Sequence, residues 1–246
     1  MNEQSPFEPD HRPLGAGEEA PRREPIFNLP GVILACLGII LAVHLIRLGL
    51  PRGADLRLLF ETAFLPFRYA FPLTQQSPAW LWSPVTYSLL HGGWTHLIVN
   101  SIWLAAFGSI VARRIGTKRF LLFWVATAVS AAALHLALHW GEDIPVIGAS
   151  GVVSGLMGAA ARFAFPSNGR FRRDKAHFLP RLTVAESLSN RTVLTYLALW
   201  FGINALAAFG FGGDPTGTTQ IAWEAHIGGF LCGFLAFALF DRRNWA

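Results

Sequence analysis

Side chains that together perform acyl transfer occur in this chain at short, fixed spacings. Ser150 stands among small residues in Gly148-Ala149-Ser150-Gly151, and His226 stands in Ala225-His226-Ile227-Gly228-Gly229. A third stretch, HGGWTHLIVN, carries His91, His96 and Asn100. A serine hydroxyl is a weak nucleophile and needs an adjacent base, most often histidine. The tetrahedral oxyanion that follows attack needs donors aimed at it, which an imidazole N–H, an amide and backbone N–H groups supply. Aspartate and glutamate are missing from the interiors of the apolar runs, with Glu224 only at the end of one. The chemistry on offer is therefore a Ser–His dyad, with Ser150 as nucleophile, His226 as base, and His96 and Asn100 as oxyanion donors.

These residues must be positioned by helices. His96 and Asn100 are four apart and share one helix face. Gly151 with Gly155, Ser154 with Gly158, and Gly229 with Gly233 are pairs of small residues spaced i,i+4, the spacing at which membrane helices pack backbone to backbone. That packing is expected to bring Ser150 within hydrogen-bond reach of His226. A helix opening at Ser150 presents unpaired N–H groups and the positive end of its dipole, which suits a developing oxyanion.

The composition supports a membrane setting. Of 246 residues, 52% are hydrophobic and 14% charged, against about a quarter charged in soluble domains. Six apolar runs are long enough to be candidate spans, over 26–50, 94–112, 120–140, 150–165, 192–211 and 223–240. The fourth is the shortest, at about 16 residues or roughly 24 Å. An all-α polytopic membrane protein with a six-helix domain over 26–240 is expected. A polar tail over 1–25 reads as a disordered cytosolic extension, and 241–246 as a short cytosolic C-terminus. No signal peptide is evident in the tail, and Cys36 and Cys232 both lie in apolar runs, which argues against a disulfide framework.

Charge gives the orientation. Sixteen Lys and Arg fall in the tail, the 113–119 and 162–191 loops and the C-terminus, and four (Arg47, Arg52, Arg57 and Arg68) on the other side. The positive-inside rule then places both termini in the cytoplasm and the serine on the outer side. Residues 51–93 read as an amphipathic structure lying in the interface, with Trp80 and Trp82 at headgroup depth. The arginine-rich 166–191 loop reads as a topology-setting element beside anionic lipid rather than a nucleic-acid site. No internal repeat is present to support a transporter.

On these three motifs, in order on the second, fourth and sixth of six spans, the sequence resembles the rhomboid intramembrane serine proteases. The resemblance covers roughly 31–240 and implies a six-transmembrane-helix bundle with a short central fourth helix and a membrane-embedded first loop. It implies that Ser150 is the nucleophile, His226 the base, and His96 and Asn100 the oxyanion donors beside the Ser150 N–H. His91 matches a histidine of more structural role, with Gly148, Gly151, Ser154 and Gly229 forming the close surroundings. Ser154 stands where many bacterial members carry a tyrosine that stacks on the base, and Ala112 where a glutamate is common. Implied too are no cofactor, and single-pass protein substrates entering laterally past the fifth helix, in a bacterial inner membrane with the site opening outward. The rival class is a non-catalytic membrane chaperone or conduit of the same fold, which the joint presence of Ser150 and His226 disfavours.

Other polar residues carry less. His135 and His139 are a one-turn pair, but zinc sites want three or four ligands with a supporting carboxylate, and the pair reads as structural or interfacial. His44 and His177 carry no motif. Asn204 reads as an interhelical hydrogen-bonding residue rather than a substrate contact.

Overall fold

The computed structural model describes residues 28–165, 176–209 and 222–242. The tail over 1–25, residues 166–175 of the arginine-rich loop and the 212–218 loop lie outside the described residues.

Prolines bound the first helix. α1 (Gly31–Gly49) begins directly after Pro30 and ends at Leu50, which is extended at φ −79°, ψ 145° because the residue before a proline is pushed out of the helical region. α2 (Arg52–Thr62) and α3 (Ala79–Thr86) follow, joined by two short 3₁₀ turns. The expected amphipathic first loop is thus a folded unit rather than a plain turn. The Arg68 guanidinium is buried at its centre, donating to the Phe60 carbonyl and lying 4.6 Å from the Phe60 ring centroid. Thr86 Oγ1 donates to the Thr62 carbonyl and Trp82 Nε1 to the Glu61 carbonyl, both at 2.8 Å.

α4 (Trp94–Trp103) passes through a π-helical turn (Leu104–Gly108) into α5 (Ser109–Leu138). Inside α5, Gly116 leaves the helix at φ 77°, ψ 165°, a left-handed value that glycine adopts without steric cost. There the chain doubles back. Tyr87 OH donates to the Ala128 carbonyl and Trp124 Nε1 to Ser88 Oγ, both at 3.0 Å. These bonds set the second half of α5 against the segment that precedes α4.

α6 (Ser150–Ala161) lies at the centre, with residues buried on every side of it. A helix apolar all round belongs inside a bundle, and the small residues Thr127, Ala128, Ala131 and Ala132 of α5 are buried beside it. α7 (Val184–Ser189), α8 (Arg191–Ala208) and α9 (Trp223–Ala236) complete the chain. The described residues contain no strand, only one isolated antiparallel bridge between Phe64 and Val146, and the fold is all-α.

Apolar side chains also cover the outside. Leu34, Ile46 and Leu48 of α1, Ile98 and Ile102 of α4, Leu122 of α5, and Leu199 and Ile203 of α8 are all exposed. Exposed apolar area of this extent marks a surface that water does not cover. Two of the described helical stretches, Gly31–Gly49 and Trp94–Leu138, are long and apolar enough to cross a membrane by length and composition.

At the end of the bundle away from Ser150, buried cations tie the elements together. Arg114 donates from Nε and Nη2 to Asp241 Oδ2 at 3.0 and 2.8 Å, and from Nη1 to the Leu179 carbonyl at 2.6 Å. Arg162 donates from Nε and Nη2 to the Leu182 carbonyl at 3.0 and 2.8 Å.

Candidate active site

Three segments meet around the N-terminus of α6. The approach to Ser150 is held by backbone pairing: Phe64 N–H donates to the Val146 carbonyl at 3.1 Å and Val146 N–H to the Phe64 carbonyl at 2.9 Å. Phe67 N–H donates to the Glu142 carbonyl at 3.0 Å, and Gly148 N–H to the Tyr87 carbonyl at 3.0 Å. The first loop is therefore stitched to the strand-like segment that delivers the serine. Gly148 turns at φ 120°, and a Cβ there would come 2.6 Å from both Cε1 and Nε2 of His96. The His96 ring thus lies against the residue two before Ser150.

Ser150 is the first residue of α6, and the residue before it, Ala149, has no side-chain acceptor to cap the helix. Serine, threonine, aspartate or asparagine usually fills that position and consumes a first-turn donor. Here those N–H groups stay open to a ligand oxygen.

α9 brings His226 in by the closest approach found at any glycine among the described residues. A Cβ on Gly229 would overlap the Gly151 carbonyl oxygen, and one on Gly233 would overlap that of Gly155. Only glycine permits the two backbones to touch in this way, the approach expected from the i,i+4 spacing. Ala225, next to His226, has its carbonyl 3.5 Å from the position a Gly151 Cβ would take.

His226 is held from behind. His226 Nδ1 lies 2.8 Å from Asn204 Oδ1, and Asn204 Nδ2 donates to the Trp200 carbonyl at 2.9 Å. The second bond settles which amide atom faces the imidazole. The amide oxygen accepts, so Nδ1 carries the proton and Nε2 keeps its lone pair. Asn204 is the interhelical hydrogen-bonding residue expected of it, and its partner is His226. Its position midway along an apolar helix was the available signal; the identity of the partner was not in the sequence.

His96 and Asn100 are held by other contacts. Asn100 is buried, and its Nδ2 donates to the His96 carbonyl at 3.0 Å. His96 packs edge-on to buried His91 with ring centroids 5.1 Å apart. The His91 backbone carbonyl accepts from Arg47 Nη1 at 2.9 Å, and Arg47 Nε reaches Asp55 at 2.7 Å. Ser154 is buried one turn into α6. Among the described residues no hydrogen bond joins Ser150 to His226, His96 or Asn100. Ser150, His96 and His226 are half-buried, so a substrate or water reaches them.

An all-helical bundle with an apolar exterior and a cluster of polar side chains at one end of its buried central helix defines a protein of integral-membrane character. The chain belongs to the rhomboid family: the model of the Rhomboid domain matches residues 78–243. Over 157 residues it is 29% identical to the rhomboid protease GluP of Bacillus subtilis (strain 168), covering 64% of this chain and 25% of that protein. Over 181 residues it is 28% identical to the rhomboid protease GlpG of Yersinia pestis (strain Pestoides F), covering 72% of this chain and 54% of that protein. The chain thus spans between a quarter and about half of the length of these curated relatives.

Proposed function

We propose that this chain is an intramembrane serine endopeptidase that hydrolyses peptide bonds in or near the transmembrane segments of membrane proteins. The observation that carries this reading is the glycine-to-glycine contact of α6 with α9, which brings the turn holding His226 against the helix start holding Ser150. Family membership and relatives named as proteases support it.

In this mechanism Ser150 Oγ attacks the scissile carbonyl carbon while its proton passes to His226 Nε2. The carbonyl electron pair moves onto oxygen, giving a tetrahedral oxyanion. The Ser150 N–H, His96 and Asn100 donate to that oxygen, Asn100 after its amide turns away from the His96 carbonyl. His226 then gives the proton to the leaving amine as the C–N bond breaks. A water molecule, deprotonated by the same nitrogen, hydrolyses the acyl-serine and regenerates the hydroxyl. Asn204 keeps the imidazole in the Nδ1–H tautomer throughout, as the asparagine of Cys-His-Asn proteases does for its histidine.

The six spans of this reading are α1, α4, α5 beyond Gly116, α6, α8 and α9, with 26–240 as the membrane domain and α2 and α3 as the embedded first loop. Both termini face the cytoplasm of a bacterial inner membrane, the site opens to the outer side, and substrates enter laterally past α8. The test is cleavage of a single-pass model substrate by purified protein in detergent, with fluorophosphonate labelling of the serine in parallel. Wild type is expected to cleave and to label, and Ser150→Ala to do neither. Substantial cleavage by Ser150→Ala overturns the mechanism, and a wild-type serine that neither labels nor supports cleavage favours the chaperone or conduit class.

A further inference from the structure

The one-turn pair His135 and His139 has a third partner that the sequence did not place beside it. Glu224, in the first turn of α9, lies between the two rings, with Oε1 2.6 Å from His135 Nδ1 and 3.2 Å from His139 Nε2. One ligand atom from each of the three residues falls within 4.8 Å of the others. His135 and Glu224 are buried, and His139 keeps 26% of its side chain exposed, which leaves one open approach from the outside.

The far nitrogens decide what the cluster holds. His135 Nε2 lies 3.0 Å from the Ile144 carbonyl, and His139 Nδ1 lies 3.0 Å from Glu142 Oε2. A carbonyl and a carboxylate only accept, so each of these far nitrogens carries a proton. In the neutral rings, His135 Nδ1 and His139 Nε2 are then bare lone pairs, and both are turned on the same carboxylate oxygen. Three electron-rich atoms at this separation repel one another unless a cation stands among them. One proton shared between a ring nitrogen and the carboxylate satisfies one of the two contacts and leaves the other ring's lone pair facing the same oxygen, whereas one metal ion serves all three atoms at once. Two imidazoles and one carboxylate, with a fourth position open to water, form a donor set that zinc accepts. Histidines that bind metal commonly donate their other N–H to a carbonyl or a carboxylate, and this cluster has one of each.

We propose that His135, His139 and Glu224 bind a divalent transition-metal ion of the zinc type at the outer ends of α5 and α9, with Glu142 and the Ile144 carbonyl orienting the two rings. The ion touches neither Ser150 nor His226. It clamps the first turn of α9 onto α5, two residues before His226, and its removal loosens that turn without removing a reacting group.

The test uses the full chain purified in detergent, stripped with a chelator and titrated with Zn²⁺ by calorimetry, with melting temperature followed alongside. Wild type is expected to take up about one Zn²⁺ per chain with a rise in Tm. Glu224→Gln and His139→Ala should lose that uptake, while His177→Ala keeps it. Glu142→Gln, at an exposed position that leaves folding intact, should weaken binding by about 10- to 100-fold. Far-UV circular dichroism of stripped wild type and of Glu142→Gln reports folding separately from metal binding. Stripped wild type that binds no Zn²⁺, or uptake unchanged in Glu224→Gln and His139→Ala, overturns the proposal. A Tm that rises on acidification and ignores Zn²⁺ assigns the cluster to protons and overturns it equally. Each of these outcomes is read without substrate cleavage, so it stands or falls apart from the protease reading.

Discussion

His226 shows what a neutral orienting group contributes. An amide that accepts from Nδ1–H fixes the tautomer and ring plane, yet it offers the imidazolium less stabilisation than a carboxylate. Asn204→Ala is expected to lower kcat by about 10- to 100-fold, short of the 10²–10⁴ attributable to acid–base catalysis as a whole. KM should hold, and Asn204→Asp should restore most of the rate and move the acidic limb of the pH profile, which a packing role would not do. Ser150→Ala and His226→Ala each abolish cleavage with folding intact, and the double variant is no worse than either, since residues acting as a unit fail together. His96→Ala and Asn100→Ala should each cost about 10- to 100-fold in kcat, the lower part of the range for one oxyanion donor. Melting temperature on the same preparations separates this from loss of structure. At this scale the residue types were legible because motifs are local. The bond between Asn204 and His226 and the seat of Glu224 between two histidines were not, because each joins residues on different helices through side chains that belong to no motif.

Between helices, the backbone contact of α6 and α9 is the feature most sensitive to a single methyl group. Gly229→Ala drives a Cβ onto the Gly151 carbonyl and must push the helices apart, at a cost of about 1–3 kcal/mol for overpacking. Thermal unfolding in detergent should show the loss, with activity falling further than stability because the dyad separates. Gly148→Ala is a different test. Its left-handed φ and the His96 ring 2.6 Å from a built Cβ make it costly in both backbone and space, and the displaced ring is an oxyanion donor. The expected result is a large loss of kcat with a smaller shift in Tm. The i,i+4 pairs of small residues were readable as close-packing signals. The π-helical turn at Leu104–Gly108 and the Phe64–Val146 bridge were not, since neither has a distinctive residue pattern and the bridge spans distant parts of the chain.

Across the whole molecule, the charge split of sixteen to four makes a topological prediction. A cysteine introduced in the 166–191 loop should react with an impermeant reagent only from the cytoplasmic side, and one at 212–218 only from outside. The reverse pattern would invert the orientation. The buried Arg114–Asp241 pair ties α5 to the end of the chain beyond α9, and Asp241→Asn strands a buried guanidinium, with an expected cost of about 3–5 kcal/mol by thermal unfolding. The number and order of apolar runs could be read directly from hydropathy. Asp241 is enclosed, and nothing in the Asp-Arg-Arg run reveals the arginine it meets. The Phe64–Val146 bridge also has a consequence in time. The nucleophile sits on a segment that is seated only when an early loop meets a later one, and the base arrives with the last of the described helices. On the mechanism proposed above, a ribosome releasing this chain into a bilayer would expose no working hydrolase before α9 is made, and neighbouring newly inserted proteins would be spared until then.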